Sequence, residues 1–267
     1  EKLISIIEKT LVPVANKLSQ NKYLSAISGG CMSTLGIIMV GAVFTILTNI
    51  SWQPYTDLLA STGLDQLFTG VQNVTTNLLA VYMAFAVGYR GATVFENKKY
   101  TLTSGFLSLF AYMLLVPLDT TTLADSGISF FNISYLGTKG VFVALLAGLI
   151  VSRLLALITE KNIVIKLPDS VPPAISDSFS AIIPYFFITL ICWGFRTLAG
   201  LNIPELVGQM LLPVLGAADN IFVYTLQQFL SALLWICGLH GDNITGAVIN
   251  VFTNQWIADN NTAFMAG

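Results

Sequence analysis

Of the 267 residues, 55% are apolar and only 10% are charged, and the mean hydropathy is +0.76. A soluble domain carries roughly 25% charged residues, so this chain has too few to cover a water-facing surface. A formal net charge of −2 gives nucleic acid nothing to bind, and the composition predicts a membrane protein.

In chain order, Leu3, Ile6, Ile7, Val14 and Leu18 fall at approximate helical spacing with lysines between them. This fits an amphipathic helix over 1–23 lying on a membrane surface; a plain soluble leader is the alternative. The stretch is too polar for the apolar core of a cleavable signal peptide. Six apolar segments then approach the roughly 20 residues that a hydrocarbon core requires: 24–50, 74–94, 102–118, 141–158, 179–198 and 221–239. The third and fourth are short and need flanking residues or local thinning to cross.

Ten of the twelve Lys and Arg form three clusters: Lys2, Lys9, Lys17 and Lys22; Arg90, Lys98 and Lys99; Arg153, Lys161 and Lys166. The connections 51–73 and 119–138 between them contain neither residue type. Basic charge on alternate connections places the amino terminus in the cytoplasm of a multi-pass protein.

From Lys161 the pattern changes. Pro168, Pro172 and Pro173 interrupt any helix over 161–178, and Val171 before Pro172 is driven toward extended geometry. An interfacial linker is expected there, with Ser176 or Asp177 capping the next helix; Pro184 and Pro213 predict further kinks. The stretches 206–217 and 244–257 are apolar but too short to cross, as re-entrant or interfacial pieces are. The second comes after Trp235-Ile-Cys-Gly-Leu-His240-Gly-Asp242-Asn243. Its glycines permit a tight reversal, and Asp242 or Asn243 suits a helix amino terminus. A hairpin that enters the membrane and turns back is expected, with His240 near its tip.

His240 is the one histidine of the chain. An ionisable ring at membrane depth is costly without a partner or a task, so it is the leading candidate for contact with a polar solute. A backbone carbonyl satisfying the ring is the structural alternative. Cys31, Cys192 and Cys237 lie in apolar runs at unrelated spacings and read as small buried hydrophobes. No Gly-x-Ser-x-Gly, His-Glu-x-x-His or phosphate-loop motif occurs, and a second histidine for a metal site is missing. No metal and no cofactor are expected.

In four places, in order, the chain resembles enzyme IIC of the lactose/cellobiose/chitobiose family of bacterial phosphotransferase systems. These are Tyr135-Leu-Gly-Thr-Lys-Gly140-Val-Phe-Val, Val171-Pro-Pro-Ala-Ile-Ser-Asp-Ser-Phe-Ser-Ala-Ile-Ile-Pro184, Trp235-Ile-Cys-Gly-Leu-His-Gly241 and Ala258-Asp-Asn-Asn-Thr-Ala-Phe-Met-Ala-Gly267. The resemblance implies an all-α membrane protein of ten spans. About six would lie here, with the amphipathic amino-terminal helix and the re-entrant hairpin. The family's glycine-rich element and its Asn-Glu-Pro motif, whose glutamate faces the histidine across the sugar, have no counterpart in these residues. The resemblance thus covers the amino-terminal part of such a permease. It implies a dimerisation half over 24–160, the linker over 161–178 and the first part of a sugar-binding half over 179–267.

The resemblance also assigns sites. His240 would bond the sugar beside the hydroxyl that is phosphorylated and hold it in line, making it the catalytic candidate, a task suited to a near-neutral imidazole. Trp235 would stack on the sugar ring; an interfacial-belt role is the alternative, and the expected role of Trp52, Trp193 and Trp256. Gly137, Thr138, Lys139 and Gly140 would lie beside the sugar, glycine allowing close backbone approach, unless this is a solvated loop with Lys139 reaching a headgroup. Asn132 and Asn243 are weaker candidates of the same kind. Arg90 reads as a charge anchor, and Asp242 as a cap.

The expected function is transport of a disaccharide coupled to its phosphorylation, with the bilayer, a second copy and cytoplasmic IIA and IIB proteins as partners. The protein would sit in the bacterial inner membrane and have no autonomous enzymatic activity. Two alternatives remain at this point: an ion-coupled secondary transporter and a non-transporting membrane subunit. An intramembrane hydrolase lacks a nucleophile–base pair.

Overall fold

A computed structural model describes residues 20–119, 130–131, 133–168, 170–198, 200–218 and 220–236, with isolated positions 13, 256 and 260. The helices are α1 (Lys22–Thr48), α2 (Gln53–Thr62), α3 (Leu64–Val74), α4 (Leu79–Val94), α5 (Thr101–Leu115), the single turn α6 (Ile133–Leu136), α7 (Val141–Glu160), α8 (Pro173–Ser180), α9 (Ile182–Trp193), α10 (Ile203–Ala218) and α11 (Ile221–Ile236). The strand content among these residues is one two-residue antiparallel ladder, pairing Leu118 with Phe131 and Asp119 with Phe130. The architecture is all-helical, as expected.

The six apolar segments coincide with α1, α4, α5, α7, α9 and α11. Three continuous helical stretches are long and apolar enough to cross a membrane: Lys22–Thr48, Val141–Glu160 and Ser178–Thr197. Asn21 starts α1, its side-chain oxygen accepting from the backbone N–H of Tyr23 and Leu24 at 3.0 and 3.1 Å. The surface helix expected over 1–23 falls almost wholly outside the described residues, and so does the hairpin around His240.

The middle of the bundle is α4, on which α1, α5 and α7 pack. Ala80, Met83, Ala84 and Val87 are fully buried on it. Small residues set the close approach. A Cβ on Gly30 of α1 would stand 2.9 Å from Val87 Cα, and one on Gly91 would stand 2.7 Å from Ser152 Cβ of α7. Ser104 Oγ of α5 donates to the Gly88 carbonyl at 2.7 Å. Where helix interiors and lipid are equally apolar, such contacts and hydrogen bonds hold helices together.

The glycines of α1 do not share one open face. Gly30 and Gly41 face Val87 and Thr75–Thr76 of the same chain, and Gly29 lies under the Arg90 guanidinium; Gly36 alone of the four opens onto free space.

The connection 51–73 folds into the helical pair α2–α3, turning at Gly63, whose φ of +72° glycine adopts readily. Gln72 Nε2 ties α3 back to α1 through Thr48 Oγ1 at 2.8 Å. Residues 162–168 and 170–172 are non-helical as the prolines require, but α8 begins at Pro173, so Ser176 and Asp177 lie inside it rather than capping a later helix. Pro184 sits in the first turn of α9, where the ring removes no needed hydrogen bond, three residues after the break between α8 and α9 at Ala181.

Ile188 and Cys192 of α9 are buried with Leu107, Ala111, Val151 and Leu155 of α5 and α7. Arg196, in a π turn over Gly194–Leu198, donates to the Leu114 carbonyl at 3.2 Å. Beyond it Gly200 has φ +61°, and α10 leans on α7 through Ile203 and Val207. Among the described residues, α11 packs extensively against no other helix.

Candidate functional site

Lys22, Glu96 and Asn97, Arg153 and Thr159 meet at one end of the bundle. Lys22 Nζ lies 2.9 Å from Glu96 Oε1, Asn97 Nδ2 donates to Thr159 Oγ1 at 3.1 Å, and the Arg153 guanidinium sits 5.5 Å over the Phe95 ring. They line a polar cleft of about 620 Å³ with Asn21, Tyr23 and Glu160. The bond from Lys22 holds the exposed Glu96 carboxyl below the usual carboxylate range. The described members of the three basic clusters therefore approach one end of the helices, while Lys139 and Arg196 lie at the other.

At that other end, α6, Gly137 and a 3-10 turn over Thr138–Gly140 lead into α7. Gly137 N–H donates to the Ile133 carbonyl at 3.2 Å, and Gly140 N–H to the Gly137 carbonyl at 3.1 Å. A Cβ on Gly137 would stand 3.3 Å from Asn77 Cα and from the Thr76 and Asn77 carbonyls; one on Gly140 would collide with the Tyr135 carbonyl and the Tyr112 hydroxyl. The glycines let the turn close on itself and on its neighbours, a packing role that their sequence context does not reveal. Lys139 remains exposed.

Tyr135 organises this end. Its carbonyl accepts from the hydroxyl of Tyr112, which is fully buried. Its own hydroxyl donates to Glu205 Oε2 at 3.0 Å and accepts from Asn202 Nδ2 at 3.3 Å. Asn202 Oδ1 also accepts from the Glu205 backbone N–H at 3.3 Å, capping α10, and Gln209 Nε2 reaches Glu205 Oε1 at 3.4 Å. Between α5, α7, α9 and α10 lies an apolar cleft of about 250 Å³.

Of the sequence candidates, Gly137, Thr138, Lys139 and Gly140 form one turn, and Trp235 lies in the last turn of α11, which makes no extensive contact with that turn. His240, Asn243 and Asn132 lie outside the described residues. Sequence reasoning missed Tyr135, Asn202 and Glu205. The last two did carry a signal: Asn202-Ile-Pro-Glu205 is a helix-start pattern with the acid three residues after the cap. Among the described residues, no group of three or more His, Cys, Asp or Glu is gathered to hold a metal.

Residues 28–267 match the model of the family described as phosphotransferase system, EIIC. The chain is 33% identical to the putative permease IIC component YwbA of Bacillus subtilis, covering 98% of this chain and 62% of the relative. It is 30% identical to the cellobiose-specific EIIC component of Geobacillus stearothermophilus, covering 99% and 61%. The crystal structure of ChbC, the IIC component of an N,N'-diacetylchitobiose-specific phosphotransferase system, superposes with a TM-score of 0.82 at 26% identity, covering 95% of this chain and 61% of that one. The chain thus spans a little under two thirds of the length of these proteins.

Proposed function

We propose that this chain, which belongs to the EIIC family of phosphotransferase systems, forms the first part of a membrane permease that carries a disaccharide of the cellobiose, lactose or chitobiose type and couples its entry to phosphorylation by a separate IIB protein. The observation that carries this reading is the agreement of fold with a solved IIC transporter across 95% of the chain. The exposed apolar side chains on α1 and α9, such as Val40, Phe186 and Leu190, suit a lipid environment. The gathering of Lys22, Lys98, Lys99 and Arg153 at one end supports a cytoplasmic amino terminus in the bacterial inner membrane. An ion-coupled carrier is disfavoured, since no Asp or Glu lies within α1, α4, α5 or α9 and only the terminal Glu160 within α7.

His240, with Trp235 and Asn243, is assigned to the sugar: the imidazole accepts or positions the hydroxyl proton, and the indole covers a C–H face of the ring. The 137–140 turn and Asn132 are assigned as its neighbours. A pairing half over 24–160, the linker over 161–178 and the first part of a sugar-binding half over 179–267 are retained, with α9 packed against α5 and α7. The stripe Met32, Leu35, Met39, Val43 and Ile46 on α1 is assigned to pairing, as these side chains face outward.

The test is uptake of labelled cellobiose, lactose and chitobiose into vesicles carrying the protein, with and without IIA and IIB. Uptake that requires the two cytoplasmic proteins supports the reading. Uptake driven by an ion gradient in their absence rejects it.

A further inference from the structure

Two kinds of contact hold α10 to the helices before it: Ile203 and Val207 against the core, and the Tyr135–Glu205–Asn202 cluster at the surface. The two sides of that cluster differ in how they are fixed. Tyr135 is anchored from below by the buried Tyr112 hydroxyl on its carbonyl. Asn202 and Glu205 come after a π turn at Gly194–Leu198 and the left-handed Gly200. A π turn followed by a left-handed glycine is a joint at which a helix can swing. The bonds across the cluster are solvent-exposed and therefore weak enough to break and reform in ordinary motion.

We infer that Tyr135, Glu205 and Asn202 form a latch that fastens the start of α10 to the 133–140 turn in the state seen here, and that opens when α10 swings about residues 194–200. Tyr135 and Glu205 are positioning residues: neither is assigned to the sugar, and both set where the turn carrying Lys139 stands relative to α10. The consequence for transport rests on the permease reading; the latch itself does not.

Amide hydrogen exchange on the purified protein tests it. Tyr135→Phe removes the donor to Glu205, and Glu205→Ala removes the acceptor. Each is expected to speed exchange in both 133–140 and 203–209 by roughly three- to tenfold, the range for one lost hydrogen bond. Glu205→Ala also weakens the helix start itself, and Tyr135→Phe also removes the acceptor of Asn202 Nδ2, so the double variant is decisive: its effect should fall short of the product of the two single effects, which share the Tyr135–Glu205 bond. Glu205→Gln keeps an acceptor oxygen and should restore most of the protection, which a purely structural effect of charge would not. Protection in α4 and α7 reports whether each variant remains folded. Additive effects in the double variant, or a Tyr135→Phe effect confined to 133–140, would overturn the latch. Sugar uptake measured in parallel separates the two readings: coupled exchange without uptake keeps the latch and rejects the permease, and uptake with additive exchange does the reverse.

Discussion

Gly30 and Gly36 sit on the same helix, and one added methyl group at each should move stability in opposite directions. In a helix interior, Gly→Ala gains about 0.5–1 kcal/mol from backbone entropy, and that gain applies at both sites. At Gly36 nothing lies within 4 Å of the new Cβ, so the gain stands alone. At Gly30 the Cβ would meet Val87 Cα and N at 2.9 Å each, closer than carbon atoms pack and against backbone rather than a movable side-chain tip. Relief requires α1 and α4 to separate, and overpacking of this kind costs about 1–3 kcal/mol; backbone contact places it at the upper end. The two variants should therefore differ by about 2–3 kcal/mol, or roughly 4–12 °C in melting temperature for a domain of this size. Thermal unfolding of both in the same detergent measures it. Equal melting temperatures, or a larger loss at Gly36, would refute the α1–α4 packing.

Because Lys22 lowers the Glu96 pKa, the stability from that pair is present above the unfolded value near 4.5 and lost as pH falls through the folded value. A carboxyl titration followed by NMR should find Glu96 below the ordinary range, and Lys22→Met should bring it back. In a full-length permease containing this segment, His240→Gln should weaken sugar binding by about 1–3 kcal/mol and cut phosphorylated product further, since alignment of the attacking hydroxyl is lost as well; calorimetry beside product assay separates the two, and equal losses would make His240 a binding residue only. Single cysteines at Met32, Met39 or Ile46 should cross-link between copies while cysteines at the buried Thr34 or Ala26 do not, and a folded protein with no cross-link at any of the three contradicts pairing through α1.

Long apolar runs were legible because hydrocarbon thickness leaves few ways to satisfy a backbone: all six apolar segments fall on helices, three of them in stretches long enough to cross a membrane. The prolines at 168, 172 and 173 were equally plain, since a missing N–H acts locally. What escaped was whatever depends on a distant partner. Nothing near Gly30 or Gly140 says whether a glycine serves a second copy, a ligand or a neighbouring helix; Val87 and Tyr112 decide, from more than 25 residues away in each case. The packing of α9 on α5 escaped for a related reason. Pro172 and Pro173 are a louder signal than Gly194 and Gly200, but Cys192 and Arg196 bind α9 to α5 across the proline-rich stretch. Tyr135 lies within a recognisable motif yet gives no sign of its role, which appears only when Glu205 is beside it.

If sugar crosses this membrane protein and is phosphorylated in the same event, the chemical form of the sugar inside a vesicle must show it. Vesicles carrying the protein, supplied with IIA, IIB and phosphoryl donor, are given cellobiose, and the interior is analysed by mass spectrometry. A permease of this kind delivers sugar phosphate with little free sugar, and that phosphate should fall sharply on His240→Gln. Free cellobiose accumulating inside against its gradient, indifferent to IIB and to His240, would contradict it.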